Sequence, residues 1–490
     1  MKTKQQATSS ASQNDTRSHG GGRASLLGEF FGIAERARGE FKQERVFARM
    51  MILALGMICA FGRRTISQCI LLVGGSQRDW SAWYRLFQGK RFREEDLAQR
   101  LLEEAMKDMP VGQPCVIGVD ATHVPRSSKK MPGTGWSPAP GGPVWKRSLH
   151  LTQRFVTCAW FPPIVKGYTR AIVLRFLSAF TPKSSSASED KRKDWEVART
   201  FMTWMRQNLD AAGRETQMLV TLGDGAYDRP EMWHALREGM VLIARTARNR
   251  ILRYLPGPYA GRGRRALYGL RAPKPMDYVK TPKGRWQHSD IPVRGKTYNL
   301  RWMLRGCFLR EKVSDQPVYL LVIGGSTRLS KSRGGKRVWR EPVYFLINAI
   351  RVDDKWTLPL PITDILAWVW QRWGLEIAHR EMKSNFGLGE TQCWGQTSAI
   401  LAVQWAAWLY GALSLAAYRL WRFDAGPTLR TRWWPGPHAW SFNTVLRAVR
   451  TEAFRTEDFR ALHSGTTATR PNSNAQWQLL RNAVLGSARI

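Results

Sequence analysis

Acidic residues are scarce in this 490-residue chain: 38 Asp and Glu stand against 76 Lys and Arg, a formal net charge of +38. That imbalance excludes an ordinary neutral-surfaced globule and asks for a polyanionic partner, with nucleic acid the first candidate. Cysteine is scarce too. The six (Cys59, Cys69, Cys115, Cys158, Cys307, Cys393) are scattered with no Cys-x-x-Cys pair, which excludes a zinc ribbon or a disulfide scaffold and fits a reducing cytoplasm. Residues 1–23 lack an apolar run, so no secretory signal is expected there, and residues 1–43 read as a basic, polar, disordered tail. Apolar material is plentiful: 43% of the chain, with 23 Trp, enough to exclude a wholly disordered basic protein. The length suggests roughly three domains.

The stretch 398–418 is nearly uncharged and long enough to span a bilayer. A helix buried on all sides in a large domain is the expectation, a lone membrane span the alternative.

The region 44–110 reads as helical. An apolar run precedes Gly74-Gly75-Ser76, and Asp79-Trp-Ser-Ala-Trp-Tyr follows, which has the shape of a helix-turn-helix, with a plain helical bundle as the bland reading. From Pro114 the texture changes. Cys115–Asp120 and Met218–Asp224 are short apolar runs, each fitting a buried strand that ends in a carboxylate. Strand patterns at 155–161 and 171–176 and a helix at 195–209 lie between them, which argues a mixed α/β layer. Residues 240–353 read as β-rich and basic: nine Arg and Lys and no acid fall between Val241 and Met276. A second basic run contains Arg328, Lys331, Arg333, Lys336 and Arg337, placed as a loop between strands and suited to phosphate contact. A helix is expected from a Thr363-Asp364 cap to about Phe386, ended by Gly387.

A buried strand-end carboxylate is costly unless paired or bound to a cation. Two of them, Asp120 and Asp224, in one sheet of a strongly basic chain favour a metal site over turn-capping aspartates. On the later helix Arg372, Glu376 and Lys383 are spaced four and seven apart and share one face. Glu376 between two cations stays ionised and could complete the site, while the cations could hold phosphates; taken alone, this is an ordinary surface pair.

Together these residues resemble a known family. Asp120-Ala-Thr, Gly223-Asp224-Gly225-Ala-Tyr227 and Arg372-Trp373-x-x-Glu376 with Lys383 are similar to the blocks of DDE transposases from bacterial insertion sequences, most closely the insertion-sequence-four-like branch with its tyrosine-arginine-glutamate-lysine signature. The likeness covers roughly 114–230 and 355–395. Val369 stands where the signature wants Tyr. The resemblance implies an α/β, RNase H-like catalytic core in two parts, 111–239 and 354–425. A β-rich insertion (240–353) would separate them, a helical DNA-binding domain (44–110) precede them, and a basic C-terminal segment (426–490) follow. It implies Mg²⁺-dependent cleavage at element ends and strand transfer into target DNA, with Asp120, Asp224 and Glu376 as catalytic residues and ligands of two Mg²⁺ ions (Mn²⁺ able to substitute). Arg372 and Lys383 would bind DNA. The partners implied are terminal-repeat and target DNA and a second copy of the chain, in the cytoplasm at the nucleoid. The alternative is a catalytically silent DNA-binding descendant.

Overall fold

The computed structural model describes residues 25–75, 79–89, 91–138, 148–179, 192–259, 261, 263–280, 286–330, 336–428, 431–433, 436–454, 480 and 482–484. It is a mixed α/β structure built on one 11-stranded sheet. Strands β1 (Cys115–Pro125), β2 (Thr134–Pro138), β3 (Leu149–Phe161) and β4 (Ile172–Ser178) come first. Helix α6 (Asp194–Ala211) leads to β5 (Leu219–Gly223), and the one-turn α7 (Pro230–Trp233) to β6 (Met240–Arg245). β3 pairs antiparallel with β1 and β4, whereas β5 lies parallel to both β1 and β6. β5 is buried throughout and β6 up to its terminal Arg245, as strands covered on both faces must be.

The basic, β-rich region continues this sheet. β13 (Val343–Asn348) pairs with β6, β10 (Val313–Ile323) with β13, and β9 (Lys296–Arg310) with β10; β7 (Leu252–Tyr254) and β8 (Gln287–Val293) both pair with β9. The run expected as a loop is a β-ribbon, β11 (Ser326–Ser330) against β12 (Lys336–Arg340). The short pair β14 (Ile350–Val352) and β15 (Lys355–Thr357) follows.

The helices gather around α10 (Ser398–Trp421), the apolar stretch of the sequence. It packs on β4 and on α1 (Leu26–Arg36), α5 (Glu94–Met106) and α11 (Phe442–Ala453). Gly411 sits on β4 so closely that a Cβ there would lie 1.9 Å from the Val173 carbonyl oxygen. It is long and apolar enough to cross a membrane, yet 89% of its most apolar window is buried inside the protein, as expected of a core helix.

Three expectations need correction. Residues 26–40 are ordered: α1 buries Leu26, Leu27, Phe30 and Ile33, and its first amides donate to Glu452 of α11. A tail was expected because the sequence does not show that partner. The helix-turn-helix is not formed. After α2 (Glu44–Cys59) and α3 (Ile66–Leu72), the second helix of the pair, α4 (Ser81–Tyr84), is a single turn. Trp83 is buried in the core. Finally, the helix expected over 363–386 is two: α8 (Ile362–Gln371) and α9 (Gly374–Ser384). α8 starts at Pro361 without a side-chain cap, and Asp364 lies in its first turn.

Candidate functional site

β1 and β5 run side by side in parallel, with Gly118 opposite Leu222. Two residues on from that pair come Asp120 and Asp224, close enough for the charge of Asp224 to act on Asp120. Asp224 follows the last residue of β5 and its carboxylate accepts from Ala226 N at 2.8 Å. Asp120 was expected to end its strand and does not. β1 continues to Pro125 because β3 stays paired to it, with Asp120 opposite Thr157 and Pro125 opposite Thr152. The Asp120 carboxyl is nearly enclosed, and burial is the main cause that pushes its pKa up to about 7. The negative charges of Asp224 and Glu376 add to the rise, and Arg372 opposes it. Asp224, Glu376 and Arg372 therefore all act on Asp120.

Helix α9 brings Glu376. It lies against β1 where Gly118 leaves room: a Cβ at that position would come within 2.6 Å of the Phe161 ring and 2.7 Å of Leu375. Leu375 precedes Glu376, so that contact sets the depth of the glutamate. Arg372 lies in the break between α8 and α9 and donates to Glu376 Oε1 at 3.1 Å. The break lets Gly374 press on Phe161, since a Cβ there would sit 2.9 Å from the ring. Lys383 is partly buried, and its charge is held by attraction to Asp120 against the burial that lowers its pKa. The face carrying Arg372, Glu376 and Lys383 thus turns toward Asp120.

Several neighbours were not assigned a role from sequence. His379 is buried on that face of α9. Its Nε2 is 2.8 Å from Thr157 Oγ1, and its Nδ1 is 3.9 Å from Asp120 Oδ2. Burial, with Lys383 and Arg372 close by, pushes its pKa down to about 3, so the ring is neutral. Asp194, the first residue of α6, pairs with Arg154; its pKa is raised by burial and, among nearby charges, by Asp224. Tyr227 is fully buried, its hydroxyl has no hydrogen-bond partner, and burial and then Asp120, Asp194 and Asp224 raise its pKa well above the usual value. The Gly-Asp-Gly-Ala-Tyr block was the one signal for Tyr227; the partners of Asp194 and His379 left none. Asp228 is fully buried and structural: it accepts from Arg310, Arg250, Thr246 and Trp233, tying the segment after Asp224 to β9. A cleft of about 500 Å³ lies beside these groups, lined by Arg154, Lys193, Asp194, Arg229 and Arg250 among others.

The remaining basic candidates stand apart. Arg328 lies on β11, and Lys336 and Arg337 on β12, with Arg328 opposite Val338 and Arg337 opposite Leu329. Their side chains fall outside the described residues, as do Lys331 and Arg333 entirely. Val369, in the place of the signature tyrosine, is core; Trp370 beside it packs on Tyr298 of β9 and under Arg340.

Asp120 on β1, Asp224 just after β5 and Glu376 on a later helix thus come together, the last two raising the Asp120 pKa. Residues 39–302 match the family described as DDE superfamily endonuclease, more than half of the chain. The chain belongs to this family. The matched part of this DDE superfamily endonuclease includes Asp120 and Asp224 and ends before Glu376. No curated protein matches the chain.

Proposed function

We propose that the protein is a transposase that cleaves DNA at element ends and joins the freed 3′ ends to target DNA, using Asp120, Asp224 and Glu376. The observation that carries this reading is the action of Asp224, after the end of β5, and Glu376 of α9 on the Asp120 carboxyl of β1. The subsheet β4-β3-β1-β5-β6, antiparallel on one side of β1 and parallel on the other, supports an RNase H-like core.

Members of the family generally use divalent metals. The donors here suit a hard cation: all are carboxylate oxygens, and a positive ion would relieve the crowding that raises the Asp120 pKa. They are not gathered into a finished cage, for among the described residues no group of three or more His, Cys, Asp or Glu is close enough to hold an ion. Two Mg²⁺ ions on Asp120, Asp224 and Glu376 would supply an activated oxygen nucleophile and charge relief at the leaving oxygen. Arg372, now on Glu376, would exchange it for a phosphate oxygen, and Lys383 would hold a second. Neutral His379, fixed by Thr157, keeps water from the inner side of Asp120. Arg328, Lys336 and Arg337 of the β11–β12 ribbon, with Lys331 and Arg333 between them in the sequence, would grip DNA outside the cleavage centre, with two copies holding two ends.

The test replaces Asp120, Asp224 or Glu376 with Ala and follows Mg²⁺-dependent nicking of a supercoiled plasmid carrying the element ends. Nicking is expected to fall to background in each variant while DNA binding in EDTA persists. Cleavage retained by all three variants rejects the assignment. A wild-type protein that binds this DNA but nicks it at no Mg²⁺ concentration is the silent binder.

A further inference from the structure

On the flank of α9 away from β1 lies a second cleft of about 330 Å³. Arg170, Arg294 and Arg380 line it, with Glu381, Tyr410 and Trp440 on its walls. The acid is already engaged: Glu381 binds Arg170 and accepts from Tyr410 at 2.8 Å. Arg170 lies over the Trp440 ring at 4.3 Å, which fixes its plane, yet its Nε is buried with no hydrogen-bond partner. The side chains of Arg294 and Arg380 make no hydrogen bond or salt bridge among the described residues, though Glu381 acts on Arg294 electrostatically, and both residues are exposed. The cleft therefore holds three guanidinium groups against one carboxylate, with donors left over. Partial burial and then the nearness of Arg170 lower the Arg294 pKa; Arg380 adds to the fall and Glu381 opposes it.

Its position says which anion. At 3.6 residues per turn, Arg380 stands one turn from Glu376 and about 40° around the helix, between the carboxylate face and the flank carrying Ile377 and Glu381. A polyanion crossing α9 from the carboxylates meets Arg380 first and the cleft next. We propose that this cleft binds a backbone phosphate of the DNA strand, outside the cleavage centre, with Arg294 and Arg380 as its direct contacts and Arg170 as the fixed wall. The assignment deepens the transposase reading and rests on DNA being the substrate.

The test measures binding of a fluorescent 30-base-pair duplex in EDTA as a function of salt. Each phosphate contact contributes about 0.9 to the slope of log affinity against log salt. Arg294→Ala with Arg380→Ala removes both contacts to that one phosphate and is expected to reduce the slope by about 0.9, whereas the charge-matched pair Arg38→Ala with Arg93→Ala, whose guanidiniums already have acidic partners, should not. An unchanged slope, or an equal fall in the control pair, overturns the proposal. A second arm titrates inorganic phosphate and reads the melting temperature. Stabilisation of the wild type that the cleft variant loses, with the DNA slope unaltered, would make this a site for free phosphate and reject the DNA assignment. Asp120→Ala separates the two readings: it should keep the full slope while losing cleavage, so either can fail without the other.

Discussion

At the residue scale, the site depends on what is missing at Gly118 as much as on the acids. Leu375 and Phe161 occupy the space a side chain would take there. Gly118→Val should push α9 and Glu376 off β1, and a displacement near 1 Å can cost about 10²-fold in rate. Nicking should fall by about that factor with DNA binding in EDTA unchanged; full activity would show that α9 is not set by this contact. The Thr157–His379 pair makes a different prediction. Thr157→Val strands a buried ring nitrogen, which costs about 1–3 kcal/mol. A lower urea midpoint at constant m value would show it. Asp120 and Asp224 were legible as apolar runs ending in carboxylates. His379 and Asp194 were not, because a side chain that matters only for what it touches leaves no local pattern.

At the element scale, the break between α8 and α9 escaped the sequence because Arg372, Glu376 and Lys383 keep helical spacing across it. Only Phe161, from a distant strand, gives Gly374 a reason to interrupt the ladder. α1 shows the same dependence on a distant partner. Glu452 of α11 accepts from Leu26 N at 3.1 Å and from Leu27 N at 2.7 Å, as an acid at a helix N-terminus should. Glu452→Ala should cost about 1 kcal/mol, read in denaturant unfolding. Glu94, at the start of α5, is enclosed beside Arg175, and burial outweighs that attraction to push its pKa up to about 7 from 4.5. The folded state thus binds this proton more tightly than the unfolded chain, so stability falls as pH rises from about 4.5 through 7. Glu94→Gln should remove that part of the slope; an identical pH profile would show that Glu94 is solvated.

At the scale of the whole molecule, the positive charge supplies an attraction to DNA that does not depend on sequence. If six or more phosphates are neutralised, affinity should drop by at least about 10³-fold between 50 and 200 mM salt. A shallow dependence measured by titration would mean the charge is spread where DNA does not reach. The basic region 240–352 was legible as β-rich from its strand patterns. Its role in extending the central sheet was not, because β6 pairs with β13 across almost a hundred residues and no local pattern records a pairing partner.

The sequence by itself determined the charge, the buried apolar runs, the core helix α10 and the residue types a hard cation or a phosphate would need. These are properties of composition and short-range period, which the chain carries whatever its fold. The tertiary structure alone decided that β1 runs on past Asp120, that α9 breaks from α8 and leans on Gly118, and that three arginines meet beside Glu381. Each follows from side chains far apart in the chain competing for the same space, or from charges that must share a low-dielectric interior, and neither constraint exists until the chain is folded.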